Sequence, residues 1–328
     1  MKWFSKASNR RLNEERFFEN GKILLEGLIA SCNGKCNPIR SFSVKEIKIG
    51  TNNHDPHNIM KDYGFYKLYR GSLQDRPVSV MKFISESHCS RKYIFNCIVF
   101  ASQMRHKNFL KLIGCCLESE LPVLVFECMQ QWTLADRIYG SCEQHLSLTQ
   151  RLKIAMEIAD ATAYLHCGFS RPIVSRWIIP SNIVFDGENV AKLFDFGESI
   201  SIPEGETHIK DYRVVGTLRY LAPEYMWTGE FSEKLDVYSF GALLIDLLTG
   251  QEMHDPVEKK CIEQNRLTEI VDPIIVGTGL SSEKEELLQE FQELAFKCLS
   301  DSEEDRPTMV DAAKQLRKMY KSVCQSMS

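Results

Sequence analysis

The feature that most constrains the fold of this chain is a series of short motifs that follow one another in order through its second half. Each motif is too short to specify a structure by itself, whereas the ordered series leaves few folds open. In chain order they are Ser175-Arg176-Trp177, Asn182, Asp195-Phe196-Gly197, Ala222-Pro223-Glu224, the run Asp236–Gly241, and Arg306-Pro307.

This series resembles the protein kinase pattern, in which H-R-D-x-x-x-x-N is followed by D-F-G and A-P-E. The resemblance is to the plant receptor-like and interleukin-receptor-associated kinase group, and it covers about residues 57–320. It implies an α+β, bilobal kinase-like fold with an antiparallel-sheet small lobe to about residue 128 and a helical large lobe after it. Residues 1–56 are then a helical extension, and residues 321–328 a C-terminal tail.

Local patterns agree with this division. Apolar residues between about Asn13 and Ile29 recur at helical spacing, interrupted by Gly21 and Gly27, which predicts one or two helices. Alternation between about residues 59 and 83 predicts antiparallel strands. The second half is predicted to be mainly helical, because two capping-box patterns precede apolar periodicity. These patterns are Ser147 with Gln150, and Ser282 with Glu285.

Composition excludes several function classes. The chain has 328 residues, a formal charge of -4 and twelve scattered cysteines, which favour reduced thiols in a cytoplasmic protein. No cysteine and histidine cluster has zinc spacing, no apolar run approaches the roughly 20 residues of a membrane span, and no basic footprint predicts nucleic-acid binding. Peripheral contact with the plasma membrane is left open by basic and aromatic residues near the start, namely Lys2, Trp3, Phe4, Lys6, Arg10 and Arg11.

Within the catalytic-loop motif, the resemblance places Trp177 at the position of the catalytic aspartate. An indole donates one N–H and accepts nothing, so it cannot take the proton of a substrate hydroxyl. Ser175 replaces the preceding histidine, and Ile179 replaces the lysine that contacts the transferred phosphate. Asn182 and Asp195 remain as the residues that hold magnesium in the family.

The nucleotide-binding motifs are degraded as well. Lys61, Tyr63 and Tyr66 align with the three glycines of the phosphate-binding loop, where close backbone approach requires glycine. Met81 aligns with the lysine of the next strand, although a shift of one residue places Lys82 there instead. Strand alternation favours Met81. Cys97 aligns with the helix glutamate that pairs with that lysine, and we interpret it as a buried, apolar thiol.

The resemblance also implies scaffold roles. Glu224 and Arg306 are expected to form a buried ion pair, and Asp236 to hold the backbone of the catalytic loop. The activation segment, about residues 195–224, contains hydroxyl groups that another enzyme could modify. Such a modification would change the local charge. These are Ser199, Ser201, Thr207, Tyr212 and Thr217.

A narrower resemblance lies in the N-terminal segment. The runs Asn33-Gly34-Lys35 and Asn37-Pro38-Ile39-Arg40, together with the degraded motifs, resemble the ZED-related kinase subfamily of plant receptor-like cytoplasmic kinases. That resemblance implies an inactive pseudokinase adaptor of plant innate immunity. Its implied partners are a coiled-coil NB-LRR receptor, receptor-like cytoplasmic kinases and bacterial effectors.

Two other functions stay open from the sequence. One is a weakly active or atypical serine/threonine kinase that uses Lys82 and Asp195 to hold Mg-ATP. The other is a scaffold that binds nucleotide without turnover. No cofactor is expected for the adaptor, and weak Mg-ATP binding would distinguish the scaffold from it.

Overall fold

The computed structural model describes residues 2–32, 34, 36–85, 90–140, 145–211, 213–252, 271–277 and 281–326. As far as the chain is described, it forms two compact units. The first contains residues 1–105, 109–131 and 194–198, and the second contains residues 106–108, 132–193 and 199–328. Within the described ranges, no helix combines the length and the apolar character that crossing a bilayer requires.

Among its described residues, the first unit contains three α-helices and a six-stranded sheet. The helices are α1 (Lys2–Cys32), α2 (Val44–Gly50) and α3 (Arg91–Ala101). The strands are β1 (Arg40–Ser41), β2 (Ile59–Asp62), β3 (Tyr66–Leu73), β4 (Arg76–Phe83), β5 (Leu112–Cys116) and β6 (Val123–Glu127). Their order in the sheet is β1-β5-β6-β4-β3-β2. The sheet is antiparallel, as predicted, except at β1, which joins β5 as a parallel strand from the N-terminal extension.

Helix α1 is continuous through both glycines at which the sequence predicted interruptions. It packs along α3, where Asn20 and Leu24 are buried. A Cβ on Gly27 would lie 3.0 Å from a methyl group of Val99 on α3, so this glycine permits close helix packing. No such contact surrounds Gly21.

The second unit is mainly helical, as predicted. Its helices are α4 (Leu134–Ile138), α5 (Leu148–Cys167), α6 (Pro223–Thr228), α7 (Lys234–Thr249), α8 (Pro273–Val276), α9 (Ser282–Cys298) and α10 (Met309–Ser326). In the part of this unit that the structure describes, three two-stranded antiparallel ladders accompany them: β7 (Ile173–Val174) with β10 (Ile200–Ser201), β8 (Ile183–Phe185) with β9 (Ala191–Leu193), and β11 (Ile209–Lys210) with β12 (Glu230–Phe231). Helix α10 packs on α5, and α9 packs on α7.

The helix caps test two of the sequence predictions. The capping box of Ser147 and Gln150 is formed at the start of α5. The second prediction is wrong by one residue, because Ser281 caps α9 and its hydroxyl accepts a hydrogen bond from the amide of Lys284. A lysine ammonium cannot accept the return bond from the cap amide, so no capping box forms there. Helix α10 also continues through the segment predicted as a tail, as far as Ser326.

Candidate active-site remnant

The carboxylate of Asp195 is the centre of a buried cluster in the first unit. Asp195 follows β9, has a φ of 68° and is 4% exposed. The hydroxyl of Tyr93 donates to its two oxygens at 2.5 and 2.6 Å, and the hydroxyl of Tyr66 donates to Oδ2 at 3.0 Å. The amide of Gly197 donates to Oδ1 at 3.2 Å. Both oxygens of the predicted magnesium ligand therefore accept hydrogen bonds from tyrosine.

Strand β3 and helix α3 supply these two phenols. Tyr66 is the first residue of β3, and Tyr93 lies in the first turn of α3, which Ser90 caps. Cys97 follows Tyr93 by one helical turn, so the two side chains share a face of α3. The thiol of Cys97 lies 3.5 Å from Oδ1 of Asp195. The position aligned with the helix glutamate thus presents a thiol to the carboxylate.

Aromatic rings surround the two phenols. The centroid of the Phe65 ring is 4.7 Å from that of Tyr66 and 5.6 Å from that of Tyr93. Phe83 contacts the same two rings at 5.7 and 6.3 Å. Tyr63 lies 4.7 Å from Tyr66. A magnesium ion usually retains several water ligands, whereas the surroundings of this carboxylate are mostly aromatic carbon.

Burial dominates the electrostatics of the cluster. It raises the pKa of Asp195 above that of a free carboxyl, although the hydrogen bonds from Tyr93, Gly197 and Tyr66 oppose that increase. Burial and the neighbouring Asp195 charge raise the pKa values of Tyr66 and Tyr93 well above those of free phenols. The two hydroxyls consequently remain protonated and keep donating at neutral pH.

Strand β4 places Met81 and Lys82 on opposite faces of the sheet. Phe83 contacts the phenols that bond Asp195, and alternate residues share a face, so Met81 lies on the Asp195 side. Met81 is fully buried. Lys82 shares the other face with Val78 and Val80, which pack in a cluster with Ile47 of α2. The side chain of Lys82 is therefore directed away from the carboxylate of Asp195, with which the weakly active kinase alternative would use it to hold Mg-ATP.

The turn between β2 and β3 replaces the glycine-rich loop. Of the three residues aligned with glycines, Lys61 is in β2, Tyr63 is in the turn, and Tyr66 begins β3. The glycine of this turn is Gly64, whose φ of 83° allows the reversal and whose amide donates to Asp62 at 2.9 Å. The phenol of Tyr66 is fully buried against Asp195.

The Ser175-Arg176-Trp177 segment lies in the second unit, where Asp236 holds its backbone. Oxygens of the Asp236 carboxylate accept from the amides of Ser175 at 2.7 Å and Arg176 at 2.9 Å, and Oδ2 lies 3.1 Å from Nε2 of His166. Trp177 is half-buried and Ile179 is buried. The side-chain amide of Asn182 donates to the carbonyl oxygen of Trp177 at 3.3 Å. The loop backbone is thus fixed, although the catalytic side chains are replaced.

The guanidinium of Arg176 connects this loop to the activation segment within the second unit. It donates to Asp211 at 3.1 Å and to the hydroxyl of Tyr225 at 2.5 Å, and it lies 5.0 Å from the Phe231 ring centroid. Burial alone would raise the pKa of Asp211. The amide of Arg213 and the charge of Arg176 outweigh that effect and lower it below its usual value. Sequence reasoning missed this contact because no motif marks Asp211.

The hydroxyl groups predicted as modification sites differ in exposure. Ser199 is buried, and its hydroxyl donates to the carbonyl oxygen of Ser175 at 3.3 Å, so a modifying enzyme could not reach it in this conformation. Ser201 is half-buried in β10, whereas Thr207 and Thr217 are exposed. Tyr212 lies outside the described residues. The structure therefore argues against Ser199 and leaves Thr207 and Thr217 accessible.

Glu224 and Arg306 form an ion pair within the second unit. Two nitrogens of the guanidinium donate to the two carboxylate oxygens, each at 2.7 Å. The Arg306 side chain is fully buried, and it also donates to the carbonyl oxygens of Ser300 at 2.8 Å and Lys234 at 3.2 Å. Glu224 is more exposed, at 22%.

The match to known proteins covers most of the chain. The family model described as protein kinase domain matches residues 65–318. The chain is 36% identical to serine/threonine-protein kinase ZRK1 of Arabidopsis thaliana, over 94% of this chain and 93% of that protein. It belongs to the protein kinase family, in the ZED-related kinase subfamily.

Other relatives differ in the activity that their names state. Non-functional pseudokinase ZED1 of the same plant is 37% identical over 96% of this chain and 99% of its own length. Inactive serine/threonine-protein kinase ZRK12 is 38% identical over 98% of this chain and 82% of its own length. Kinases and pseudokinases thus occur among similar sequences, and activity has to be argued from the residues of each chain.

Replacing Tyr93 with phenylalanine is expected to lower the free energy of unfolding of the first unit by about 1.5–3 kcal/mol, because a buried carboxylate loses a hydroxyl donor. Denaturant titration with fluorescence detection measures this change. Tyr66→Phe is the matched variant, since Tyr66 makes one longer bond at 3.0 Å, and its loss should be smaller. Equal stability of wild type and Tyr93→Phe would contradict the hydrogen bonding described above.

A second buried carboxylate makes the second unit sensitive to pH. The hydroxyl of Tyr220 donates to Asp246 at 2.5 Å, and Arg219 lies 3.6 Å from the same oxygen. Burial raises the pKa of Asp246 to about 6, even though Arg219 opposes the increase. The folded protein therefore binds this proton more tightly than the unfolded chain, in which an aspartate titrates near 3.9. The resulting stabilisation is present below about pH 4 and is lost as the pH rises through 6.

For Asp246→Asn, we expect the stability difference between wild type and variant to change by about 2 kcal/mol between pH 4 and pH 7, in favour of the variant. Urea denaturation at several pH values measures it. Asp311→Asn is a suitable control because Asp311 is exposed and its pKa is lowered through bonds to Thr308 and Lys314. A pH-independent difference for Asp246→Asn would show that its carboxyl does not titrate in this range.

Proposed function

We propose that this protein is a catalytically inactive, protein kinase-like adaptor. The observation that carries the proposal is the double hydrogen bonding of Asp195 by Tyr66 and Tyr93. In an active kinase, the corresponding aspartate binds magnesium next to the phosphates of ATP. Here, phenols and the rings around them take up the space beside that carboxylate.

The replaced side chains support the same proposal. Trp177 has no acceptor atom with which to orient a substrate hydroxyl, and Ile179 has no charge for the transferred phosphate. General acid–base participation contributes about a hundred- to ten-thousand-fold in rate, and electrostatic stabilisation adds further orders of magnitude. The pair of Met81 and Cys97 replaces the lysine–glutamate ion pair that positions the nucleotide.

The remaining framework fits a binding module. Asp236 fixes the loop backbone, and Arg176 fixes the activation segment through Asp211. A fixed surface without catalysis can present side chains to partners or receive modifications at Thr207 and Thr217. By the family resemblance, we propose a coiled-coil NB-LRR receptor, receptor-like cytoplasmic kinases and bacterial effectors as partners, in plant innate immunity and in the cytoplasm.

The proposal is tested by phosphate transfer from radiolabelled Mg-ATP to the protein itself and to a generic substrate. We expect no incorporation above that of Asp195→Ala. A thermal melt with about 1 mM Mg-ATP should also leave the midpoint unchanged. Nucleotide binding would raise the midpoint, since a ligand at about a hundred times its Kd adds about 2.7 kcal/mol to the stability of the native state. Incorporation that Asp195→Ala abolishes would refute the inactive assignment.

The two alternatives give different results in the same experiments. A weakly active kinase would transfer phosphate in an Asp195-dependent way; kinase activity is what the name of the relative ZRK1 states for that protein. A nucleotide-stabilised scaffold would melt at higher temperature with Mg-ATP and transfer nothing. The adaptor role itself is tested by co-purification with the leucine-rich repeats of candidate receptors, with the receptor nucleotide-binding domain as the control.

A further inference from the structure

A group of positive side chains lies on the face of the first-unit sheet that α2 covers. Lys82 of β4 is directly opposite Lys67 of β3 in the strand register, and like charges at such positions repel. Lys48 is in the last turn of α2, whose Ile47 packs against Val78 and Val80 on the same face as Lys82. Lys48 and Lys82 therefore lie on the same side of the sheet, close enough for their charges to interact.

Neutralising carboxylates are scarce in this region. Asp62 lies 3.0 Å from the ammonium of Lys67 and is committed to it. Asp55 accepts from Asn52 and from His57, both at the exposed surface. Within the ranges that the structure describes, Lys48 and Lys82 have no ion pair. No carboxylate of the described residues therefore neutralises either charge.

The segment after α2 adds a histidine to this group. Asn52, Asn53 and His54 all have φ values between 51° and 57°, a left-handed backbone that asparagine and histidine adopt more often than other residues with side chains. The ring of His54 lies 5.4 Å from that of Tyr69 on β3. This turn keeps the imidazole beside the lysines.

The electrostatic consequence of this arrangement is strong. Burial first, and then the charges of Lys82 and Lys48, lower the pKa of His54 to about 4. Burial and Lys48 likewise lower the pKa of Lys82. The groups that face His54 are thus Lys48 on α2, Lys82 on β4 and Tyr69 on β3. A positive potential without an internal counterion indicates attraction for an anion.

We propose that Lys48 and Lys82 form a binding site for a phosphate group, either free or carried by a larger ligand. Two ammonium groups match the charge of a phosphate dianion, and lysine binds phosphate as a point charge. The site lies on the face of the sheet opposite to Met81 and Asp195, so it is separate from the degraded nucleotide motifs. It gives Lys82 a role that differs from that of a nucleotide-binding lysine.

Inorganic phosphate and O-phosphoserine are the probes, each titrated calorimetrically into the full chain at low ionic strength, because salt screens exposed charges. We expect saturable binding of one or both. Lys48→Gln and Lys82→Gln should each weaken it about tenfold, as expected when one charged hydrogen bond is lost. Lys111→Gln, at an exposed lysine of the same unit, should leave it unchanged. Tighter binding of O-phosphoserine would point to a carried phosphate, and equal binding to a free one.

His54 supplies a readout that nonspecific binding elsewhere would not move. A dianion bound between the lysines reduces the positive potential at the imidazole, so its pKa should rise from about 4 when phosphate is added. NMR titration of the ring signals measures that change. Lys48→Gln is on the exposed surface of a short helix and should fold normally. Absence of binding, an unchanged His54 pKa, or equal binding by wild type and both variants would overturn the proposal.

Discussion

Replacing Glu224 with alanine is expected to lower the free energy of unfolding of the second unit by about 3–5 kcal/mol. The substitution leaves the fully buried guanidinium of Arg306 without its carboxylate. Its remaining acceptors are backbone carbonyl oxygens, which satisfy hydrogen bonds but do not neutralise the charge. Urea denaturation followed by tryptophan fluorescence measures the change in the unfolding transition.

The chain offers a matched control in the ion pair of Arg317 with Asp160. One nitrogen of Arg317 contacts both oxygens of Asp160 at 2.7 and 2.8 Å, but the arginine side chain is 54% exposed. Asp160→Ala should therefore cost only about 0–1 kcal/mol, because water solvates the charge that is left. Similar losses for Glu224→Ala and Asp160→Ala would mean that burial does not determine the contribution of the Arg306 pair.

Asp236→Ala is also expected to lower the free energy of unfolding of the second unit by about 3–5 kcal/mol. Two buried amides and His166 lose their acceptor in this variant. Arg176 should be affected further, since its φ of 65° is held by the bond from its amide to Asp236. Hydrogen exchange at the amides of Ser175 and Arg176 should increase in the variant. Denaturant titration gives the loss of stability.

Asp236→Asn keeps the shape of the side chain and one acceptor oxygen, so its loss of stability should be intermediate between wild type and alanine. Unchanged exchange rates at Ser175 and Arg176 in the alanine variant would show that other contacts hold the loop. Arg176 does have such contacts through its side chain, to Asp211 and Tyr225. The exchange measurement separates the backbone contribution from that of the guanidinium.

Much of the fold could be predicted because its signals are local in the sequence. Alternation in β4 and the ordered motifs are readable without any three-dimensional information, and so is the Ser147 cap. The single-residue error at Ser281 arose because only Ser282, with Glu285, satisfies the capping-box spacing, whereas the backbone geometry places the cap at Ser281. Strand β1 was missed because two residues carry no periodic signal.

The site was predictable only in part. The replaced residues, from Trp177 to Cys97, stand out against a known motif, so their positions could be read directly. Tyr93 carries no motif, and its contact with Asp195 joins residues far apart in the chain. The sequence signal that could have identified Tyr93 is its position one helical turn before Cys97. The direction of the Lys82 side chain could be predicted from strand alternation. Its proximity to Lys48 and His54 could not, because it depends on how α2 packs on the sheet.

Gly197 shows why a preserved motif is an unreliable sign of preserved chemistry. A Cβ at this position would lie 2.2–2.3 Å from three carbons of the Tyr93 ring, so any larger residue would displace the phenol that bonds Asp195. The packing of Tyr93 can therefore restrict which residues fit at positions 195 and 197 without any catalytic requirement. When sequences of this kind are sorted into enzymes and non-enzymes, an intact Asp-Phe-Gly should be taken as evidence of activity only if the residue that corresponds to Tyr93 leaves the aspartate carboxylate accessible.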